Sequence, residues 1–201
     1  MVPEGVRLIE AMPDFEISKL RHYSVDEMRR RVTSNDDRAF FDDALLCTAL
    51  PGGHARLALV IGFGITEHRF QEPRVYNPHG FSLAAVRANP GEGVLSHTHA
   101  ETQVLMVTGG EWEVTFNETD PLTVRLGLHD TLSVPVGAWR SWRNVSDDPD
   151  AEILVATRGD GRVALTWAPE VVAAAHRADV AYDANGYLAP HSVVSRTAVD
   201  D

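Results

Sequence analysis

From Arg56 to Trp167 the sequence consists of short runs of β-branched, aliphatic and aromatic residues, and turn-forming residues separate one run from the next. The runs cover 56–65, 81–88, 103–108, 111–116, 122–126, 131–134, 138–145, 152–157 and 163–167. Many short strands separated by Gly, Pro, Asn and Asp are typical of an antiparallel sandwich or barrel. The pair Gly109-Gly110, between two such runs, predicts a hairpin. The central part of the chain is therefore expected to be all-β.

The two ends of the chain show helical patterns instead. Ser24 followed three residues later by Glu27 is the signature of a capping box, which marks the start of a helix. A second helix is expected over 38–50, where apolar residues cluster before a Pro-Gly-Gly sequence. Pro169 suits the first position of a third helix, and the tail from about 190 is expected to be loose.

These patterns predict a single β-domain with helical additions at both ends. We expect 1–54 to form a helical N-terminal extension that packs on the barrel, 55–168 to form the barrel itself, and 169–201 to form a C-terminal helix and tail. A chain of 201 residues has the length of one domain with such additions.

The charge of the chain bears on its partners. It has 29 acidic and 18 basic residues, which gives a net charge of −11 with neutral histidine. This balance disfavours nucleic acid and a basic membrane anchor, because both draw on clustered positive charge. A small anion needs only one local arginine and is compatible with it. Lys19 is the only lysine beside 17 arginines, a bias typical of GC-rich bacterial genomes.

The number of cysteines and the length of the apolar runs indicate in which cellular compartment the protein is expected. Cys47 is the only cysteine, so no intrachain disulfide can form, and we expect a core position for it. No apolar run approaches the roughly 20 residues that span a bilayer. We therefore expect a cytoplasmic protein that does not cross a membrane.

Two histidines, His97 and His99, are separated by one residue. On a strand this spacing puts both imidazoles on one face, and Gln103 has the same parity. Two imidazoles and an amide oxygen are ligands suited to a first-row divalent metal. The alternative interpretation of the spacing alone is a pair of polar residues on a half-exposed strand.

The wider spacing resembles the first conserved motif of the cupin superfamily. Gly91 is followed after five residues by His97, after one by His99, after three by Gln103 and after six by Gly110. The family has Glu more commonly at the position of Gln103. The two motifs and their flanks cover roughly residues 75–160.

A second segment resembles the second cupin motif. Pro135 and Gly137 are followed by Arg140 and then by Asn144 at the family spacing, although His129 stands where the motif opens with glycine. The resemblance implies a double-stranded β-helix, or jelly-roll, barrel with a ligand pocket inside. It also places Arg140 where the family has its third metal-binding histidine.

Arginine is a poor metal ligand, because its guanidinium stays protonated and offers no lone pair. Three interpretations follow. The first is a weakened metal site of His97, His99 and Gln103. The second is a metal-free pocket in which Arg140 binds a carboxylate. In the third, the Arg140 side chain points out of the barrel. In the third case another residue completes the site, and His129 and His79 are the nearest histidines.

Two further residues are expected to contact substrate beside Arg140. Glu101 is a possible anionic partner of the guanidinium, if the chain turns it inward. Trp142 is expected to line the pocket or the core, since alternate strand residues fill a barrel.

The resemblance implies a metalloenzyme that acts on a small organic acid or a phenol with a divalent metal, Fe, Mn, Zn or Ni. Dioxygenase chemistry is the expectation, with isomerase, decarboxylase and lyase chemistry as alternatives, and no catalytic residue is assigned. The second hypothesis is a non-catalytic or metal-free cupin that binds a small anion through Arg140. Cupins often dimerise, so a homodimer is expected.

Overall fold

The structure is a computed structural model that describes residues 22–76 and 78–197. The helices are α1 (Val25–Arg29), α2 (Pro169–Arg177) and α3 (His191–Thr197), with 3-10 turns at Asn35–Asp37 and Leu46–Ala49. The strands are β1 (Ala55–Ile61), β2 (Phe81–Ala88), β3 (Gly93–Thr98), β4 (Gln103–Val107), β5 (Trp112–Phe116), β6 (Leu122–Leu126), β7 (Thr131–Val134), β8 (Arg140–Asn144), β9 (Ala151–Arg158), β10 (Thr166–Trp167), β11 (Val180–Tyr182) and β12 (Leu188–Pro190). Within these residues, no helix has the length and apolar character needed to cross a bilayer.

Two antiparallel five-stranded sheets form the barrel, in the orders β1-β2-β9-β4-β7 and β10-β3-β8-β5-β6. Strands β11 and β12 make a separate two-stranded sheet. The longest pairing joins β2 to β9 over eight residues, from Phe81 opposite Arg158 to Ala88 opposite Ala151. The prediction of an all-β jelly-roll barrel is confirmed. Strand β3, which carries the first histidine, was missing from the predicted runs.

The barrel interior is filled by alternate residues of the strands. In β4 the buried positions are Gln103, Leu105 and Val107, while Val104 between them is exposed. The same period of two that packs Leu105 into the apolar core also turns Gln103 inward. Strand β8 repeats the pattern, and its buried residues begin with Arg140. Polar site residues thus reach the interior by the alternation that builds the core.

Glycine at position 93 lets β3 and β8 lie close together. A Cβ atom there would stand 1.9 Å from the carbonyl oxygen of Trp142, which no side chain could accommodate. Gly93 pairs with Arg143, and after a bulge His97 pairs with Arg140. This register brings the histidine of the first motif opposite the arginine of the second.

The chain divides into two compact units, Met1–Val32 and Thr33–Asp201. In the first unit the predicted capping box is present, since Ser24 Oγ accepts from the backbone N–H of Glu27 and Glu27 Oε2 accepts from that of Ser24. Residues 1–21 lie outside the described part. The packing of an extension over 1–54 on the barrel therefore stays a prediction.

The predicted helix over 38–50 is wrong. Instead of a helix, this segment contains the 3-10 turn at 46–49 and an isolated bridge in which Phe41 exchanges both backbone hydrogen bonds with Leu57. Strand β1 offers the segment an edge to pair with, and this tertiary contact overrides the local helical preference. The prediction of a loose tail from about residue 190 is wrong as well. Helix α3 begins at His191, and the Asp179 carboxylate accepts a hydrogen bond from the backbone N–H of Ser192.

A buried carboxyl group that belongs to no strand of the barrel joins three segments of the second unit. Glu67 Oε2 accepts from the backbone N–H of Leu46 at 2.6 Å. Its Oε1 accepts from Trp167 Nε1 at 2.9 Å and from the hydroxyl of Tyr182. Burial raises the pKa of Glu67 from its ordinary 4.5 to about 7, against the three hydrogen bonds, which lower it.

This shift links stability to pH. The folded carboxyl keeps its proton to a higher pH than the unfolded one, so its contribution to stability is full below about pH 4.5 and is lost as the pH rises through about 7. Between pH 5 and pH 8 the free energy of unfolding should fall by about 2–3 kcal/mol more in the wild type than in Glu67→Gln. Urea unfolding at the two pH values measures this difference. Equal pH slopes in both proteins would contradict the shift.

Candidate functional site in the barrel interior

The structure brings four of the predicted site residues together inside the barrel. His97 lies on β3 and Arg140 directly opposite on β8, while His99 follows the end of β3 and Gln103 begins β4. Their exposed fractions are 0% for His97, 4% for His99 and 1% for both Gln103 and Arg140. The interpretation of the histidines as half-exposed surface residues is therefore wrong.

His97 is fixed by a backbone contact and two indole rings. Its Nδ1 lies 2.7 Å from the carbonyl oxygen of Leu95, so Nδ1 carries the proton and donates. Its Nε2 therefore presents a lone pair, and this buried atom has no hydrogen-bond partner. The ring centroid lies 5.9 Å from that of Trp142 and 5.2 Å from that of Trp167.

His99 has the opposite proton arrangement. The backbone N–H of Glu101 donates to its Nδ1 at 3.3 Å, so the proton lies on Nε2. The Glu101 carboxylate is 3.6 Å from the same Nδ1, which is too long for a hydrogen bond. The Nε2 of His99 is buried without a partner, and its ring centroid lies 6.4 Å from that of His97. The pair thus offers one acceptor and one donor.

Arg140 connects the two sheets across the interior. Its Nη2 donates to Gln103 Oε1 at 3.1 Å, and its Nη1 donates to the carbonyl oxygen of Ala138 at 3.0 Å. Gln103 Nε2 in turn donates to Thr157 Oγ1 at 3.3 Å. Both ends of the amide are therefore engaged. The Nε–H of Arg140 is buried and has no partner.

The site carries one positive charge. Burial lowers the pKa of Arg140 to about 10, which leaves the guanidinium charged at neutral pH. Burial and the charge of Arg140 lower the pKa of His99 to about 4, and the same causes hold the pKa of His97 well below its ordinary range. Both imidazoles are neutral at neutral pH. Among the described residues, no carboxylate forms an ion pair with Arg140.

These residues fit a divalent metal only in part. Two neutral imidazoles with unpartnered Nε2 atoms suit a metal once the His99 proton has moved from Nε2 to Nδ1. The predicted third ligand, Gln103, uses its oxygen to accept from Arg140, and the guanidinium brings a positive charge. Between residues 22 and 197, leaving aside position 77, no group of three or more His, Cys, Asp and Glu side chains could hold a metal ion.

The remaining predicted residues fall into two groups. Trp142 is 2% exposed, adjoins His97, and its Nε1–H is buried without a partner, as a pocket-lining role requires. Glu101 lies beside His99, partly exposed, and makes no hydrogen bond to Arg140. His129, at a positive φ of 68°, and His79 are exposed and lie outside the cluster.

Sequence reasoning missed several residues around the site. Thr157 orients Gln103, the Leu95 carbonyl sets the proton position on His97, and Trp167 packs on the His97 ring. Parity within the run 152–157 would have put Thr157 on the same face as Ile153. Trp167 gave no signal, because its contact depends on the pairing of β10 with β3.

Comparison with known proteins concerns this same region. Residues 85–157 match a family model described as Cupin domain. A similar fold occurs in an oxalate oxidase, with 20% sequence identity, coverage of 61% of this chain and 59% of that one, and a TM-score of 0.47. Another occurs in a cupin 2 domain-containing protein from Halorhodospira halophila, with 20% identity, coverage of 62% of this chain and 77% of that one, and a TM-score of 0.43. A third similar fold is that of vicilin from Corylus avellana, which has 15% sequence identity and a TM-score of 0.49. This match covers 69% of this chain and 36% of that one. No curated protein matches the chain.

The chain spans 59% of the length of the oxalate oxidase and 36% of that of vicilin. Identities of 15–20% do not carry an activity over to this chain. The family match covers β3, β4 and β8, the strands that hold the histidines, Gln103 and Arg140. Residues 85–157, which carry both motifs, thus match the cupin domain model and form part of the jelly-roll barrel.

Proposed function

We propose that the barrel binds a small organic anion through Arg140. One observation carries this proposal: the guanidinium is 1% exposed, has no carboxylate partner among the described residues, and keeps a buried Nε–H without an acceptor. A buried charge is stable only when it is paired or fully hydrogen-bonded. A carboxylate matches the planar donor edge of a guanidinium and supplies the missing charge.

Three other buried polar atoms of the interior also lack hydrogen-bond partners, and they favour an anion as the ligand. Besides Arg140 Nε, the interior holds two more free donors, Trp142 Nε1–H and His99 Nε2–H, and one free acceptor, His97 Nε2. Buried polar groups in proteins are nearly always satisfied by protein, water or ligand. Three donors favour an acceptor-rich anion over a cation. The single acceptor suits a hydroxyl group on the ligand, as in a hydroxy acid or a phenolic acid.

A divalent metal on His97 and His99 is the second candidate, and the observation that favours it is the pair of unpartnered Nε2 atoms. For His99 to offer a lone pair, its proton has to move to Nδ1, which faces the Glu101 carboxylate at 3.6 Å. A bound Fe, Mn, Zn or Ni would supply Lewis-acid or redox chemistry, of which dioxygenase, isomerase, decarboxylase and lyase reactions are examples. In that case Arg140 would orient the substrate carboxylate. We also propose that the protein is a homodimer and that it is located in the cytoplasm.

The anion proposal is tested by calorimetry with propionate, lactate, benzoate and 4-hydroxybenzoate. Arg140→Ala should weaken the binding of whichever acids bind by about 2–4 kcal/mol, since it removes a buried charge-assisted contact. Arg143→Ala is the matched control, because Arg143 lies on the same strand but is exposed and pairs with Glu113. In each hydroxylated pair the hydroxy acid should bind more tightly. Equal affinities in wild type and Arg140→Ala would contradict the proposal.

The metal candidate is tested by elemental analysis after incubation with Fe, Mn, Zn and Ni. The anion proposal alone expects little metal in the wild type and a gain of at least about tenfold in metal affinity for Arg140→His, which restores a third imidazole and removes the charge. Stoichiometric metal in the wild type, lost in His97→Ala and His99→Ala and reduced less in Gln103→Ala, would establish the second candidate. Unchanged metal affinity in Arg140→His would show that position 140 is not a ligand position.

A further inference from the structure

Glu67 is a buried acid that the binding site does not contain. Its side chain lies among Leu46, Trp167 and Tyr182, which come from three separate segments, and it is 5% exposed. Trp167 Nε1 donates both to Glu67 Oε1 at 2.9 Å and to the hydroxyl oxygen of Tyr182 at 2.7 Å. That hydroxyl donates to the same carboxylate oxygen. The three side chains therefore form a closed triangle of hydrogen bonds.

The triangle adjoins the barrel interior through one ring. Trp167 pairs with His97 in the register of β10 with β3, and the two ring centroids are 5.2 Å apart at an interplanar angle of 46°. Trp142 lies against the same imidazole, at 5.9 Å. His97 thus stands next to two indoles, and its third restraint is the Leu95 carbonyl. The direction of the free His97 Nε2 depends on where these neighbours hold the ring.

The two indoles differ in how they are held. Trp142 Nε1 has no partner, so packing alone positions that ring. Trp167 has its indole N–H tied to a carboxylate that also holds the backbone of Leu46. Removing the Glu67 acceptors would leave the Leu46 N–H and the Tyr182 hydroxyl without their acceptor, and the indole N–H would keep only that hydroxyl as a partner. The hydroxyl would then turn to find a new acceptor, and the indole would move with it. Such a movement changes the surface on which His97 rests.

We infer that Glu67 is a positioning residue for the barrel site, which acts through the Trp167 indole on the orientation of the His97 ring. Among the described residues, no hydrogen bond joins Glu67 to His97 or to Arg140. The effect on ligand binding rests on the proposed function, whereas the effect on the His97 ring does not. A cavity of about 270 Å³ is lined by Glu67, Tyr182 and Arg162 among others.

Two variants cut the link from its two ends. Glu67→Met removes both acceptors at similar length, and Trp167→Phe keeps an aromatic ring but removes its N–H. Each should shift the His97 imidazole resonances in heteronuclear NMR spectra of the ligand-free protein. Each should also weaken the binding of lactate and benzoate about tenfold, the effect typical of residues that orient a primary ligand group. In the double variant the second substitution should add less than about twofold, because both break one link.

Matched controls separate positioning from general destabilisation. Trp112→Phe makes the same chemical change at a buried indole whose N–H donates to the Gly109 carbonyl, and Glu152→Met removes a buried acid held by Arg38 and Arg87. Both should lower stability but leave the His97 resonances in place. If Glu67→Met does not fold, Glu67→Gln replaces it, because this variant too leaves the Trp167 ring beside His97 in place.

Unchanged His97 resonances in the Glu67 variant, or shifts equally large in the controls, would overturn the inference. Additive losses in the double variant would overturn it too. If wild type binds none of the acids, the proposed anion function fails. The NMR comparison then still decides whether Glu67 positions His97.

Discussion

The hydrogen bond from Arg140 to Gln103 is the contact on which the barrel interior depends. This hydrogen bond joins β8 of one sheet to β4 of the other. Its donor, the Arg140 guanidinium, stands where the cupin motif has a ligand histidine. A metal site of three imidazoles would keep the interior open to a cation. The arginine instead satisfies the amide and leaves a positive charge unpaired, and together with burial, the larger cause, it lowers the pKa of both histidines so that they stay neutral. The fold can hold this charge because the Ala138 carbonyl and the Gln103 amide accept from it, yet neither supplies a negative charge.

The second layer around the interior is organised by aromatic rings rather than by charges. His97 lies against the indoles of Trp142 and Trp167, and the carboxyl group of Glu67 accepts a hydrogen bond from the second of these. Stability and site geometry therefore share one buried acid. Because burial brings the pKa of Glu67 to about 7, the protonation of this acid changes over the range in which cells operate.

The sequence predicted the barrel and the main site because both depend on local regularities. A period of two in short runs identified the strands, and the spacing of the two motifs indicated that His97, His99, Gln103 and Arg140 share one pocket. The helix expected over 38–50 failed, because the pairing of Phe41 with Leu57 is a tertiary contact that outweighs local propensity. The link from Glu67 to Trp167 spans 100 residues and carries no motif, so no pattern within one segment could reveal it. The proton positions on the two histidines likewise depend on backbone groups that only the folded chain brings into place.

The Nε–H of Arg140 reports on the central claim more directly than any other group, since it is buried, charged and without an acceptor among the described residues. Its proton and nitrogen resonances can be followed by NMR while 4-hydroxybenzoate or lactate is added. The account predicts that the Arg140 Nε–H proton moves downfield and exchanges more slowly with water as a carboxylate accepts from it. An Arg140 resonance that stays unchanged while an acid binds elsewhere on the chain would contradict the account.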